Sequence, residues 1–349
     1  MNEVIDQNPP RDALELRLQR IWEELLKQSP IGVDADFFSI GGDSMTALAL
    51  MARVVQETGY QLPAAGIVQA STIAKLAVAL RTASPRDRND PIVPLHAASD
   101  LPRFYCVHPV GGSALCYLRL ARELQDSVAF FGVQSPTIES NAPPVCKIDE
   151  MADDYVAAIR KVQPHGPYLL GGWSYGGIIA YEIARKLKAA GEPIGLLALI
   201  DSGQVYSFAV LLTMLRGHGV DLLSRLSAPS AEQLELFRVQ TEPAKLVPAG
   251  ADDAMARRIY ENLIACMRGL LDFHLKPYDG EAVLFRAREP YVRKRRDPEE
   301  EWRELCSTLT VVPTGGNHLT VIHEPNVQEL ASHIRDALVE RGFSAKPRA

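Results

Sequence analysis

The stretch Tyr168-Leu169-Leu170-Gly171-Gly172-Trp173-Ser174-Tyr175-Gly176-Gly177-Ile178-Ile179-Ala180 decides how the larger part of this chain folds. Tyr168, Leu169 and Leu170 open it as a short apolar strand. From Gly176 to about residue 188 the apolar spacing becomes that of a helix. Between the two, Gly172-x-Ser174-x-Gly176 marks a turn so sharp that the neighbours of the serine must be small. Such a turn stands the hydroxyl at a helix N-terminus, where the macrodipole favours developing negative charge. A tight strand-to-helix connection without chemistry has the same pattern.

Outward from this turn the alternation continues. Short apolar runs at 104–107, 129–133, 196–200, 281–285 and 309–312 read as strands. Amphipathic stretches at 115–124, 151–162 and 326–341 read as helices. Strands alternating with helices predict a mostly parallel sheet covered on both faces. Between 203 and 275 no strand pattern occurs. That stretch is too long for a structureless loop in a compact domain, and it reads as an inserted helical lid. Its apolar surface includes Leu211, Leu212, Met214, Leu215, Leu222, Leu223, Leu226, Leu234, Leu236 and Phe237.

The first part of the chain is different. Leu14, Leu18, Ile21, Trp22, Leu25 and Leu26 recur at spacings of three and four and form one helical stripe, which Pro30 and Gly32 end. A second helix starts near Ser44, with Leu48, Met51, Ala52 and Val55 on one face and Gly59 as its stop. A last one covers about 71–81. The polar, proline-bracketed run from Ser84 to Pro91 reads as the start of a linker. The expected organisation is a first domain at 1–83, a linker at 84–100, a second domain at 101–342 with its lid at about 203–275, and a tail at 343–349.

Composition narrows the function. Of 349 residues, 47% are hydrophobic, which is ordinary for a globular protein with a full core. A net charge of −6 carries no nucleic-acid signature. Five widely spaced cysteines form neither a CxxC pair nor a disulfide framework, so a reducing cytoplasm fits best. No signal-peptide core and no membrane-spanning apolar run is expected, and no metal site. The basic run Arg293-Lys294-Arg295-Arg296, followed by Glu299-Glu300-Glu301, reads as a solvated loop.

A nucleophilic serine needs a base. Eight histidines compete: His96, His108, His165, His218, His274, His318, His323 and His333. His318 follows the last strand, at the sheet edge where strand ends gather and ligands bind; His323 is its rival. Asp201 ends the strand 196–200, and a charge capping an apolar strand needs a partner. Glu289 is the alternative acid, and a helix N-cap is the plain reading of Asp201. The order Ser174, Asp201, His318 is that of serine, acid and histidine in α/β-hydrolases. His108-Pro109-Val110-Gly111-Gly112 leaves backbone N–H groups free after another strand, and Val110 and Tyr175 are the candidate oxyanion donors.

Near the other end, Gly41-Gly42-Asp43-Ser44 precedes a helix. Its plain reading is a capped N-terminus; a phosphodiester on Ser44 would meet free N–H groups at the positive dipole end. The run Asp36-x-Phe38-x-x-Gly41-Gly42-Asp43-Ser44-Met45 resembles the attachment motif of peptidyl carrier domains. Together, His108-Pro109-x-Gly111-Gly112, Gly172-Trp173-Ser174-Tyr175-Gly176, Leu199-Ile200-Asp201 and Gly316-Asn317-His318 resemble the thioesterase domain that ends nonribosomal peptide synthetases. The resemblance implies a small all-α carrier bundle of four helices followed by an α/β-hydrolase domain. It implies 4′-phosphopantetheine on Ser44, a phosphopantetheinyl transferase to attach it, and upstream condensation and adenylation domains as partners. It implies release of a carrier-bound acyl or peptidyl chain through Ser174. A proofreading hydrolase and a non-catalytic carrier scaffold are the alternatives.

Overall fold

Asp12 opens the first helix. Its backbone is extended, and its carboxylate accepts from the N–H groups of Leu14 and Glu15, two of the donors that every helix start leaves unpaired. Helix α1 (Ala13–Leu26) stops at Lys27, which is left-handed at φ 52°. In this computed structural model the described residues are 8–43, 46–47, 49–51, 53–54, 66–82, 90–138, 144–145, 147–204, 230–241, 247, 253–290 and 297–343. Beyond α1, the first domain has a short helix α2 (Gly66–Gln69) and helix α3 (Ile73–Thr82). Its core is built on Trp22, whose ring meets Phe37 edge-on at 4.8 Å. The helix expected from Ser44 falls partly outside the described residues, and with it the count of four. Thr46, Ala47, Leu50, Met51 and Val54 are helical; Ser44, Met45, Leu48, Ala52, Val55 and Gly59 lie outside.

The second domain is a seven-stranded sheet in the order β1-β3-β2-β4-β5-β6-β7. The strands are β1 (Ile92–His96), β2 (Arg103–Val107), β3 (Ala129–Val133), β4 (Tyr168–Trp173), β5 (Ile194–Ile200), β6 (Tyr278–Ala287) and β7 (Cys306–Thr314). All neighbours are parallel except β1 and β3. The expected parallel sheet is therefore present, with one correction. Residues 92–96 fall inside the segment assigned to the linker, yet they form the edge strand. Ile92, Val93 and Leu95 are buried, and Pro94 has no N–H to give a ladder, which an edge tolerates. β4 runs past residue 170 because Gly171 and Gly172 keep the ladder to β5 although they read as turn residues.

Helices α4 (Leu118–Glu123) and α10 (Asn326–Glu340) cover one face. Helices α5 (Ile148–Val162), α6 (Tyr175–Ala189) and α8 (Asp253–Asp272) pack on the other. All six residues of β4 are buried, as a strand covered on both faces requires. In the predicted lid, the described residues carry helix α7 (Ala231–Thr241) and α8, with no strand. Leu263, Met267 and Leu270 of α8 join the core of the sheet, and Phe237 of α7 meets Tyr260 edge-on at 5.2 Å. Residues 205–229, which hold Leu211 to Leu226, lie outside the described set. A further helix, α9 (Pro298–Leu305), stands where Glu299 to Glu301 read as loop. Asp297 caps it, and it buries Trp302; Arg293 to Arg296 lie outside. No helix among the described residues is long and apolar enough to cross a membrane.

Among the described residues, an ion pair and a ring contact reach between the domains. The Arg122 guanidinium at the end of α4 lies 4.4 Å over the Phe38 ring and 3.9 Å from the Asp36 carboxylate.

Tyr117, just before α4, fixes where the central strands end. Its hydroxyl donates to Val107 O at 2.7 Å and accepts from Trp173 N–H at 2.8 Å. It thus bridges β2 and β4 just past their last ladder pair, Val107 with Gly172. Tyr117→Phe removes the bridge and leaves buried polar groups exposed to that loss. The expected cost is about 1–3 kcal/mol, read as a lower urea midpoint at unchanged slope. An unshifted midpoint would show that the bridge carries no stability.

Candidate active site

Ser174 sits between β4 and α6 at φ 58° and ψ −123°, a conformation that costs a non-glycine residue of order 1–3 kcal/mol. Three backbone features impose it. Ser174 N–H donates to Ile200 O at 3.0 Å. Its carbonyl accepts from the Ser202 hydroxyl at 2.7 Å. The two flanking glycines leave no space for anything larger. A Cβ on Gly172 would lie 2.2 Å from the Gly176 carbonyl carbon, and one on Gly176 would lie 2.2 Å from Val107 O. Both obstacles are backbone. The close approach of Gly176 also presses the turn against the loop at 108–112, whose His108 O would lie 2.7 Å from the same Cβ.

His318 arrives from the loop after β7. Its Nε2 is 2.9 Å from Ser174 Oγ and its Nδ1 is 2.8 Å from Asp201 Oδ2. A carboxylate oxygen only accepts, so Nδ1 carries the proton and Nε2 presents a lone pair to the hydroxyl. Asp201 ends β5 at φ 41°. Its N–H donates to Phe285 O at 2.8 Å, and its Oδ1 accepts from Ala287 N–H at 3.0 Å. The three side chains are buried, with His318 1% exposed and Ser174 and Asp201 5%. Trp173 steadies the histidine by donating from Nε1 to His318 O at 2.9 Å.

The rivals are elsewhere. Glu289 is exposed, and its N–H holds Gly316 O at 3.0 Å. His323 is half-buried in the turn before α10, with its N–H on Thr320 O. His333 lies on α10, with Nδ1 3.3 Å from Thr314 Oγ1. His108 is buried, and both of its ring nitrogens bond away from Ser174. Val110 follows in the same loop, and Tyr175 is the first residue of α6. Among the described residues no group of three or more His, Cys, Asp or Glu is placed to hold a metal ion.

Ser44 lies outside the described residues; on the stretch that leads up to it in sequence, the order comes from Asp36, Gly42 and Asp43. Asp36 Oδ1 accepts from Phe38 N–H and Ser39 N–H, and Oδ2 accepts from the Ser71 hydroxyl. Burial alone would raise the Asp36 carboxyl; the hydrogen bonds from Ser71 and Ser39 bring it below its ordinary value. Gly42 N–H bonds to Phe37 O at 2.8 Å, and a Cβ there would strike the Phe37 ring. Asp43 and Thr46 cap each other: Asp43 Oδ1 accepts from Thr46 N–H, and Thr46 Oγ1 accepts from Asp43 N–H. This reciprocal cap is one turn wide, and Ser44 lies between its members in sequence.

Sequence reading did not single out Ser202, Tyr117 or Tyr155, although all three bond to the backbone or the ring of the site. Ser202 follows Asp201 directly and was within reach. The tyrosines carry no local signal, since their partners are 10 to 56 residues away.

Residues 102–338 match the thioesterase domain model, and residues 17–80 match the phosphopantetheine attachment site model. Malpinin synthetase of Mortierella alpina is 37% identical over 203 residues, 58% of this chain and 3% of that protein. Enterobactin synthase component F of Escherichia coli (strain K12) is 27% identical over 332 residues, 94% of this chain and 25% of that protein. The crystal structure of a holo four-domain nonribosomal peptide synthetase bound to AMP and glycine is similar across both domains, with a TM-score of 0.61 and 27% identity. That likeness covers 96% of this chain and 27% of that one. The chain therefore spans a quarter or less of the length of these two curated relatives.

Proposed function

The chain belongs to the thioesterase domain family and carries a phosphopantetheine attachment domain ahead of it; on that premise we propose that it releases an acyl or peptidyl chain from its own carrier in nonribosomal peptide biosynthesis. The observation that carries the reading is the buried relay from Ser174 to His318 to Asp201 in a chain that also holds a carrier. Attached to Ser44, the prosthetic arm supplies the acyl chain as a thioester. Asp36, Gly42 and the Asp43–Thr46 cap hold the segment that presents it.

The relay then works as follows. His318 Nε2 takes the proton of Ser174 Oγ as that oxygen attacks the thioester carbonyl. Val110 and Tyr175 N–H groups receive the charge that develops on the carbonyl oxygen. Asp201 stabilises the imidazolium. The C–S bond breaks, and His318 gives its proton to the leaving sulfur, so Ser174 carries the chain as an ester. Water, or a nucleophile within the acyl chain, attacks next. His318 takes its proton and returns it to Ser174 Oγ as the ester bond breaks. Hydrolysis is the default, since water needs no dedicated pocket. A phosphopantetheinyl transferase would load Ser44, and condensation and adenylation domains would supply the chain. Free thiols at Cys106, Cys116, Cys266 and Cys306 support a reducing, cytoplasmic setting.

The contact of Arg122 with Phe38 and Asp36 gives the carrier a place to dock. An exposed ion pair is worth about 0–1 kcal/mol and a cation–π contact about 0.5–1. Such a grip holds the carrier beside α4 and still lets it leave for other partners.

Loading with acyl-coenzyme A and a broad transferase tests the reading by mass. Wild type should gain the arm and lose the acyl group, Ser44→Ala should gain nothing, and Ser174→Ala should keep the acyl-arm with release slowed roughly 10⁴-fold or more. Fast release from Ser174→Ala would refute the covalent route.

Asp201→Asn should slow fluorophosphonate labelling of Ser174 by about 10⁴-fold, because the histidine loses its tautomer. Glu289→Gln should label like wild type, and a larger loss there would reverse the assignment of the acid.

Arg122→Glu should lower turnover of the carrier-tethered chain relative to a soluble N-acetylcysteamine thioester by roughly three- to tenfold. An unchanged ratio would mean that the carrier reaches the site without this contact.

A further inference from the structure

The loop at 108–112 is held by its carbonyls. Pro109 O accepts from His108 Nδ1–H at 2.7 Å and from Gly112 N–H at 2.9 Å. Val110 O lies 3.7 Å from Cys266 Sγ on α8, and Gly112 O accepts from Ser135 N–H at 2.8 Å. A trans peptide is planar, so its C=O and its N–H point in opposite directions. The Pro109 carbonyl and the Val110 N–H belong to one such plane. Whatever fixes the direction of the first fixes the aim of the second.

His108 does this. Pro109 O only accepts, so the ring proton is on Nδ1. Nε2 is then the acceptor, 2.8 Å from the Tyr155 hydroxyl on α5, which donates to it. The two rings meet edge-on at 5.9 Å, and both residues are buried, His108 1% and Tyr155 2% exposed. Burial pushes the imidazole pKa down to about 4, against the opposing pull of the Pro109 bond, so the ring stays neutral in this tautomer at physiological pH. The hydrolytic relay has no use for this histidine, because His318 already faces Ser174.

We infer that His108, locked by the Tyr155 hydroxyl, is a positioning residue that aims the Val110 N–H at the oxyanion formed on Ser174. The inference rests on the thioesterase reading and on Val110 as a donor. Through Tyr155 it assigns α5 an indirect part in transition-state stabilisation. Asn does not replace His108 in full: its amide can donate to Pro109 O, but it is too short to reach Tyr155 as well.

The test uses the full chain, an octanoyl N-acetylcysteamine thioester, and an octyl trifluoromethyl ketone, which adds to the serine and places a charged oxygen in the same hole. His108→Leu keeps the bulk and removes the donor. Removing an oxyanion donor costs about 10²–10³ in kcat; a donor kept but misaimed should cost about 10- to 100-fold. KM should stay within about twofold, as for an interaction made only in the transition state. Affinity for the ketone should fall by the same factor as kcat. His108→Asn should recover part of both. Tyr155→Phe keeps the fold and should lose about three- to tenfold in kcat and ketone affinity, since one of two hydrogen bonds on the ring is gone; its ¹⁵N spectrum should show His108 no longer fixed in the Nδ1–H form. If His108→Leu does not fold, Tyr155→Phe decides. Wild-type kcat and ketone affinity in the folded variants would overturn the inference. A wild-type protein that neither turns over the thioester nor takes a fluorophosphonate on Ser174 would overturn the thioesterase reading instead.

Discussion

A serine held at φ 58° at the head of a buried helix makes demands on everything around it. The strain is of order 1–3 kcal/mol, and it persists only where the surroundings leave no other choice. Here they do not. Eleven residues of α6 are buried, so the helix cannot slide. β4 is paired on both sides, to β2 and to β5. Ile200 O and the Ser202 hydroxyl hold Ser174 by its own peptide groups, and Gly172 and Gly176 allow the backbone to pass within contact distance of itself and of β2. The conformation that exposes the hydroxyl is thus a by-product of close packing in a parallel sheet.

The same packing removes water from the relay. Within a site of low dielectric each hydrogen bond is stronger, and each unpaired polar group is more costly. The structure answers that cost atom by atom. Asp201 has His318 on one oxygen and Ala287 N–H on the other. Trp173 takes the His318 carbonyl, and Trp302 takes Ser202 O at 2.7 Å. Two residues with positive φ, Ser174 and Asp201, face one histidine across adjacent strand ends. Strain in both is offset by the helices on either face, which is why small, ordinary residues such as Ser202 matter to a site they do not enter.

Much of this was legible in the sequence. The alternation of apolar runs and amphipathic stretches found six of seven strands, because a parallel sheet buried on both faces leaves continuous apolar runs. The site residues could be ordered for the same reason: strand ends collect at one edge, and the residues that follow them are neighbours in space. Spacing alone could not choose between Asp201 and Glu289, since both follow strands; it is depth that separates them, one ending a central strand and buried, the other exposed. β1 was missed because Pro94 and the polar run before it imitate a linker. α9 was missed because its charges hid a start signal, Asp297 followed by Pro298, that a helix reading should have weighed. Tyr117 and Tyr155 were not legible at all. Their role lies in where a hydroxyl ends after folding, and nothing local records that.

The carrier adds a requirement of a different kind. A relay inside a closed core needs its substrate brought to it, and the attachment segment must be firm enough to present an arm yet free to depart. The first domain meets the first condition with Asp36, whose two oxygens tie the loop at 38–39 to Ser71 at the start of α3. It meets the second by making its side-chain contact to α4 through a half-exposed arginine that uses the same Asp36 and the ring next to it. The carboxylate that orders the carrier loop is therefore also the one that the Arg122 guanidinium of α4 faces. The contact depends on the loop being ordered: if the loop around Phe38 loosens, the charge and the ring that Arg122 meets lose their common geometry. A single acidic residue thus ties the order of that loop to its contact with α4, and an exposed pair of this kind is worth only about 0–1 kcal/mol.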